Sequence, residues 1–479
     1  MGPTNRTTKR DRGRAIVIGG SVAGLLTARV LSDHFEQVTV LDRDQITDDT
    51  EYRNGVPQGR HLHVLLMRGR QILDELFPGL ESDYRAANVP LMDLSHDLEL
   101  ALGAGEMPRY RCGYTVRSSS RAWLESKIRK YVRQCRGVEV LAQTEALALY
   151  ANAEKAVSGV HVRHGNTRQT LYADLIVDAS GRNSKSIEWL KALGYGKPSI
   201  TTINAYLGYA TRWYERPRDV AHDWSAVLTG SRPTSNPRAG GLFPVEGDRW
   251  LLALTGIAHA YPPTEEAGFL EFARQLIRPT IYETLKTLTP ISPIYGYRRT
   301  ENRWVHFEQL KRWPDGFLVT GDAACCFNPF YGQGMAVSAV EAMLLDETLR
   351  AHRGQGPDLR GLAPRFQRAL PNAFRSAWLL ATGEDFRWPT TDGGKPDRST
   401  RFAHWYVDQL FEVMPRSTLA FEAFLSVQHL LAPPTALFHP SVIARLLAHK
   451  ARKFVDAHLL PPVPTPVAQP TNAAVLVRD

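Results

Sequence analysis

One stretch near the start of the chain constrains the fold more than any other. Ala15-Ile16-Val17-Ile18 is a short, wholly apolar run, as a central strand covered on both faces requires. It leads into Gly19-Gly20-Ser21-Val22-Ala23-Gly24 and then a helical stretch, Leu25 to Leu31. A second apolar run, Val38-Thr39-Val40-Leu41, ends at Asp42, with Arg43 beside it. The pattern is strand, glycine turn, helix, strand, acid, and each part suits a bound dinucleotide. Glycines permit a tight turn and close backbone approach, the helix start faces the pyrophosphate, and the acid accepts from ribose hydroxyls. Ser21 stands where the fingerprint has its second glycine; it is small and can donate a hydrogen bond to phosphate. A βαβ unit without nucleotide is the bland alternative.

A second signal lies far downstream. Gly316-Phe317-Leu318-Val319-Thr320 reads as a buried strand running into Gly321-Asp322-Ala323-Ala324. Asn328-Pro329-Phe330-Tyr331-Gly332-Gln333-Gly334-Met335 follows, then a helix from Ala336 to about Arg350. That helix carries no charge before Glu341, so its start offers unpaired N–H groups to whatever occupies the loop. The negative pyrimidine end of a reduced flavin suits such a place, and Asp322 is positioned for a ribityl hydroxyl. A third element, Asp174 to Arg182, is a strand ending in Asp178 and a tight turn. Ser120-Arg121-Ala122-Trp123-Leu124 opens a helix, and Gly55-Val56-Pro57-Gln58-Gly59-Arg60-His61-Leu62-His63 follows the second strand.

Together these motifs resemble the flavoprotein monooxygenases with the para-hydroxybenzoate hydroxylase fold, over residues 14 to about 455. The resemblance implies FAD, held by Gly19, Gly20, Ser21, Ala23, Gly24, Asp42, Arg43, Arg60, Arg121 and Asp178. At the flavin it implies Gly321, Asp322, Pro329, Gly332, Gln333, Gly334 and Met335. The third element departs from the commonest Asp-Gly form, reading Asp-Ala-Ser-Gly. Residues 55–63 are similar to the matching stretch of bacterial polyketide epoxidases of the lasalocid type. By that likeness the chain takes electrons from NADPH or NADH, directly or through a flavin reductase. Reduced flavin then meets O2, and the resulting C4a-hydroperoxide hydroxylates or epoxidises a lipophilic small molecule of specialised metabolism. Such a species needs a dry site. Pro329 and Phe330, with Phe243, are candidates to shield the flavin face; no acid or base is assigned.

The expected fold class is α/β, a Rossmann-like FAD-binding domain joined to an antiparallel β-sheet substrate domain and C-terminal helices. Its FAD part comprises 14–78, 109–186 and 300–355, and its substrate part 79–108 and 187–299, with short β-rich runs at 202–214, 240–256 and 292–307. A basic leader (1–13), read as disordered, precedes them. A helical region (356–460) and a Pro-rich tail (461–479) follow.

Composition narrows the function. The hydrophobic share is 43% and the charged share 22%, which excludes wholesale disorder. No apolar run is long enough to cross a bilayer, and the leader has no apolar core of a secretory signal, so a cytoplasmic location without stable membrane insertion is expected. Of the net charge of +9, the first fourteen residues supply +4 (five basic, one acidic), and no basic helix interleaved with aromatics points to nucleic acid. The four cysteines show no metal spacing, and no metal is expected. His61 and His63 read as structural, Cys325 and Cys326 as small fillers of the flavin loop. Tyr295, Tyr297, Arg298 and Arg299 fit either a cavity wall or a sheet face. Competing activities are a prenyl-chain reductase and a flavin halogenase, although the WxWxIP signature of the latter is missing. A membrane-surface binder using Leu419, Phe421, Phe424, Leu425, Leu430 and Leu431 is a further alternative, weaker than packing of that stripe on the domain.

Overall fold

The computed structural model describes residues 13–46, 52–103, 105–217, 222–353 and 358–458. The basic leader before residue 13 and the Pro-rich tail lie outside them. The apolar runs read from the sequence pair side by side as one five-stranded parallel sheet. Its order is Phe317–Val319, Leu175–Asp178, Arg14–Ile18, Gln37–Leu41, Val138–Leu141. Val17, Val40, Val177 and Leu318 are fully buried, as strands covered on both faces must be.

Helix Val22–Leu31 packs against helices Arg121–Gln134 and Gly334–Arg353. Helix Met67–Leu76 crosses the last of these so closely that a Cβ on Gly69 would meet the Ala336 Cα at 2.9 Å. A three-stranded antiparallel sheet, Thr144–Ala151, Val157–His164 and Thr167–Tyr172, packs against the central strands.

The second large layer is a seven-stranded sheet, ordered Tyr295–Tyr297, Gly208–Glu215, Arg249–Gly256, Arg238–Val245, Ala226–Thr229, Leu98–Leu102, Gly105–Glu106. Side chains alternate across it. Trp250, Leu252 and Leu254 pack with Phe269 and Phe272 of a helical cover, while Leu251 packs on the opposite side with Trp213 and Val245. Only Tyr295–Tyr297 of the 292–307 run joins this sheet. Asn302–Val305 instead pairs with Ile200–Ile203 and Cys325–Cys326, so it ties the sheet region to the loop after Gly321.

The C-terminal helices divide their packing. Phe366, Phe374 and Trp378 join the core of the central sheet. Tyr406, Leu410, Phe421 and Leu425 join the core around Leu98, Leu100 and Phe243. The fold is thus mixed α/β, with a parallel nucleotide-type sheet and a separate, mainly antiparallel one.

Candidate functional site

A cleft of about 290 Å³ runs between the two sheets, from the end of the second strand to the start of helix Gly334–Arg353. At one end lies the glycine turn. Gly19 has φ +107°, and a Cβ there would lie 2.5 Å from the Ala179 carbonyl oxygen. A Cβ on Gly24 would sit 1.7 Å from the Gly19 oxygen, so only glycine lets the helix close onto the strand. Gly24 therefore acts from behind and does not line the cleft, while Gly19, Gly20, Ser21 and Ala23 do.

Asp42 is buried at the same end, beside the exposed Arg43. Its carboxylate accepts from the backbone N–H of Gly20 (3.0 Å) and Asp44 (2.8 Å) and from Arg53 (2.6 Å). Arg53 also reaches Glu125, which accepts from Ser21 (2.7 Å) and pairs with Arg121 and Arg129. Burial alone would push the Glu125 carboxyl up; Arg121, Arg53 and the Ser21 hydrogen bond overcome this and hold it at about 2. The Ser21 hydroxyl is therefore committed to Glu125, and the Gly19 and Gly20 N–H groups to Leu41 and Asp42, so it is the start of helix Val22–Leu31 that is left to face a phosphate. Arg53 and Glu125 were not legible as site residues, because only the i, i+4 spacing of Glu125 to Arg121 and Arg129 marks either of them.

At the other end the cleft meets Asp322, Pro329, Gly332, Gln333, Gly334 and Met335. Gly321 turns with φ +64° and donates to the Glu341 carboxylate (2.6 Å), as does the Thr320 hydroxyl (2.7 Å). Gly321 itself lies behind the wall. Burial raises the Asp322 carboxyl, with Arg182 and Arg121 opposing. Burial likewise raises Glu341 to about 7. Helix Gly334–Arg353 has no acid in its first turn, and a Cβ on Gly334 would touch nothing within 4 Å.

These residues fit an FAD molecule. The Gln333 amide is buried, and neither its oxygen nor its nitrogen has a hydrogen-bond partner among the described residues. A buried amide of this kind, at a wall of the cleft, calls for a polar ligand edge. FAD would be held by the Gly19–Gly20 turn and Asp42 at its adenosine end and by Asp322 and Gln333–Met335 at its flavin end.

Four expected residues face elsewhere. Asp178 is fully buried and spends its carboxylate on Ser180 N–H (2.8 Å), the Ser184 hydroxyl (2.6 Å) and the Ser186 hydroxyl, so it braces the turn that the cleft touches. The Arg60 guanidinium lies over the Tyr52 and Tyr295 rings and does not line the cleft. Phe330 packs against Ala205, Leu207, Ile257 and Trp388, turned away from Pro329 because Asn328 caps its N–H (3.0 Å) in a tight single turn. Phe243 is likewise packed in the core and leaves Pro329 alone at the wall.

Of the stretch left open between cavity wall and sheet face, Tyr297 and Arg299 line the cleft; what the sequence reading missed is that His61, His63 and Tyr209 join Tyr297 there. His61, His63, Tyr209 and Tyr297 line the cleft, with Leu62, Val64 and Phe327. The His61 ring lies 5.4 Å from Tyr297 and 6.0 Å from Tyr209, and its Nδ1 bonds the buried Thr211 hydroxyl (2.8 Å). His63 Nδ1 lies 2.9 Å from the His61 carbonyl. A carbonyl can only accept, so Nδ1 carries the proton and Nε2 is a bare acceptor. Burial lowers His61 to about 4 and His63 to about 3, so both are neutral near pH 7. Cys325 and Cys326 are free and buried, and burial raises both thiols, so neither ionises readily.

The loop that carries Pro329 is fixed from behind by distant residues. Asp385, buried, accepts from Asn302 (2.6 Å) and Asn328 (2.9 Å), and the Asn302 oxygen accepts from the Asn328 N–H (2.7 Å). Burial raises Asp385 to about 7 against those two donors. Gln428 donates to the Tyr331 carbonyl (3.2 Å).

The sequence pattern of the FAD binding domain family matches residues 13–360. The chain belongs to that family. Protein Rv3254 of Mycobacterium tuberculosis is 30% identical over 451 residues, spanning 91% of this chain and 94% of that protein. Kynurenine 3-monooxygenase of Salinispora tropica is 24% identical over 351 residues, 72% of this chain and 74% of that enzyme. Among solved structures, the flavin-dependent brominase Bmp2 superposes with a TM-score of 0.64 at 15% identity, covering 92% of this chain and 99% of that one. PqsL, a probable FAD-dependent monooxygenase from Pseudomonas aeruginosa, gives 0.58 at 16% identity, covering 78% and 97%. At such identities the structural likeness speaks for the fold alone. The FAD binding domain family, with monooxygenases among the relatives, makes this chain an FAD-binding flavoenzyme. No helix among the described residues is long and apolar enough to cross a membrane.

Proposed function

We propose that this FAD-binding chain is a monooxygenase that inserts one oxygen atom of O2 into a lipophilic small molecule, by hydroxylation or epoxidation, in specialised metabolism. The observation that carries the reading is the make-up of the cleft. The cofactor motifs form both ends, and the lining between Pro329 and the seven-stranded sheet includes Leu62, Val64, Tyr209, Tyr297, Phe327 and two neutral histidines, with Arg182 and Arg299 beside Tyr297. FAD supplies the electrons that reduce O2 and the oxygen-transfer chemistry, and the chain supplies binding, orientation and exclusion of water. Tyr209 and Tyr297 hold their protons, because burial raises both phenols, and so they offer O–H donors without adding charge. His63 Nε2 offers an acceptor. Such a wall can orient a hydroxyl or carbonyl on an apolar skeleton while leaving the rest of the site dry. The electron donor is NADPH or NADH, used directly or through a reductase, and the likeness of residues 55–63 to polyketide epoxidases favours an alkene acceptor.

The test is to reduce the FAD-loaded protein without oxygen, mix it with ¹⁸O2 and a panel of polyenes, quinones and phenols, and weigh the products. A product carrying one heavy oxygen supports the proposal. Turnover that proceeds anaerobically replaces it with a reductase, and product formation that requires chloride or bromide replaces it with a halogenase.

A further inference from the structure

Seven of the twelve exposed large apolar side chains among the described residues lie between residues 402 and 455. Isolated exposed apolar residues are ordinary; a concentration of them on neighbouring helices is not. Helix Pro440–His458 turns Val442 and Leu446 inward, each buried in the core it shares with Tyr406 and Leu410. With 100° per residue, Ile443, Leu447 and Phe454 then fall on one outward stripe, 37%, 63% and 60% exposed. Phe402 and Trp405 of helix Arg398–Val413 continue it at 55% and 49%. Their rings lie 5.6 Å apart, and the Phe438 ring, 40% exposed, stacks on Phe402 at 6.4 Å. Lys450, whose ammonium lies 4.6 Å from the Trp405 ring centre, joins the two helices.

Basic side chains outnumber acidic ones around this stripe. Lys450 lies within it, about 20° round the helix from Ile443, and Arg398 and Arg401 are exposed at the start of the adjoining helix, whereas Arg445 and Arg452 lie on the far side of their own helix. The acids on that adjoining helix are already paired, Glu412 with Lys453 (2.7 Å) and Asp408 with Arg387. An apolar stripe flanked by cations is what a helix lying in a bilayer interface presents: aromatic and aliphatic side chains enter the headgroup layer while lysine and arginine reach anionic phosphates.

We propose that the face formed by helices Arg398–Val413 and Pro440–His458 docks on an anionic lipid surface, lying on it without crossing it. A second copy of this chain is the poorer occupant, because a face-to-face dimer would bring the same cations together. Docking would bring the cleft near substrate dissolved in lipid. That consequence rests on the lipophilic-substrate reading, whereas binding to lipid does not.

The full-length, FAD-loaded protein is sedimented with vesicles of phosphatidylcholine alone and of phosphatidylcholine mixed with phosphatidylglycerol. Binding is expected to the mixed vesicles only, and to weaken as salt is added. The pairs Leu447→Ser/Phe454→Ser and Arg398→Glu/Arg401→Glu should each weaken it about tenfold. Because all four side chains are exposed, flavin content and melting temperature should stay at the wild-type values, which separates lost docking from lost folding. No binding to either vesicle, or binding by both variants equal to that of the wild type, overturns the proposal. So does a dimer of the wild type in light scattering that Leu447→Ser/Phe454→Ser converts to monomer. Failure of the oxygenation test would leave this result standing, since vesicle binding is read without substrate.

Discussion

Glu341 holds a carboxyl at the base of the cleft where water does not reach it. One oxygen serves the Thr320 hydroxyl and the Gly321 N–H; the other is buried without a partner among the described residues. Burial raises its pKa from 4.5 in the unfolded chain to about 7 in the folded one. A raised carboxylate pKa means that folding favours the protonated form. Its stability is therefore fully present below pH 4.5, is lost as pH rises from there to 7, and stays lost above. The loss amounts to at most about 3 kcal/mol. Glu341→Gln cannot titrate, and its amide oxygen can still accept both hydrogen bonds. Between pH 5 and pH 8 the melting temperature of the variant should gain a few degrees on the wild type. Parallel melting profiles would rule this out. In the sequence Glu341 is visible only as the first charge of a helix. Its burial depends on how the Gly321 turn folds back onto that helix, and local pattern carries no information on that. Gly19 and Gly24 are the opposite case, since the steric demand is local and spacing alone exposes it.

At the scale of elements, the loop Asn328–Gly332 shows how a motif can be legible while its support is not. The glycines, Pro329 and the helix after them can be read from the sequence, but the groups that fix the loop lie 26 and 57 residues away, at Asn302 and Asp385. Two buried amide N–H donors converge on one carboxylate there. Asp385→Asn turns an amide toward at least one of them, and an unsatisfied buried group costs about 1–3 kcal/mol. The expected result is a loosened loop: FAD affinity, read by quenching of flavin fluorescence, should fall several-fold, and the visible circular dichroism of the bound flavin should change. Asp385→Asn combined with Asn302→Asp reverses the pair. The carboxylate now at position 302 still accepts from the Asn328 N–H and also accepts from the amide at position 385. The oxygen of that amide in turn accepts from the Asn328 side chain. Affinity and dichroism should recover in the double variant. A double variant no better than the single one would mean that the site needs the charge at position 385 and not the hydrogen-bond pattern.

Over the whole molecule, the family match and the hydrophobic core end in different places. The match stops at residue 360, whereas Leu362, Ala363, Phe366, Leu370, Phe374, Ala377 and Trp378 are buried in the same cluster as Val17 and Val177. Periodicity announced helices after residue 356, because a stripe of apolar residues says that a face is covered; it does not say by what. The structure gives the answer: helices Leu362–Ala369 and Pro371–Asp385 cover helix Gly334–Arg353 and the edge strand Phe317–Val319, the elements that present Asp322 and Gln333. Burying a large apolar side chain contributes about 1.5–3 kcal/mol, so the five large ones among these contribute on the order of 10 kcal/mol. That equals the whole net stability of an ordinary domain, about 5–15 kcal/mol. A chain ending at residue 360 should therefore aggregate or lack fixed near-ultraviolet dichroism, and should not take up FAD, although it contains every cofactor motif. Phe374→Ala in the full chain should cost about 3–5 kcal/mol in denaturant unfolding while leaving the cleft residues in place. If the chain ending at 360 is a soluble monomer that binds FAD one to one, the flavin site is self-supporting, and the helices after 360 serve the second sheet and the lipid-facing surface alone.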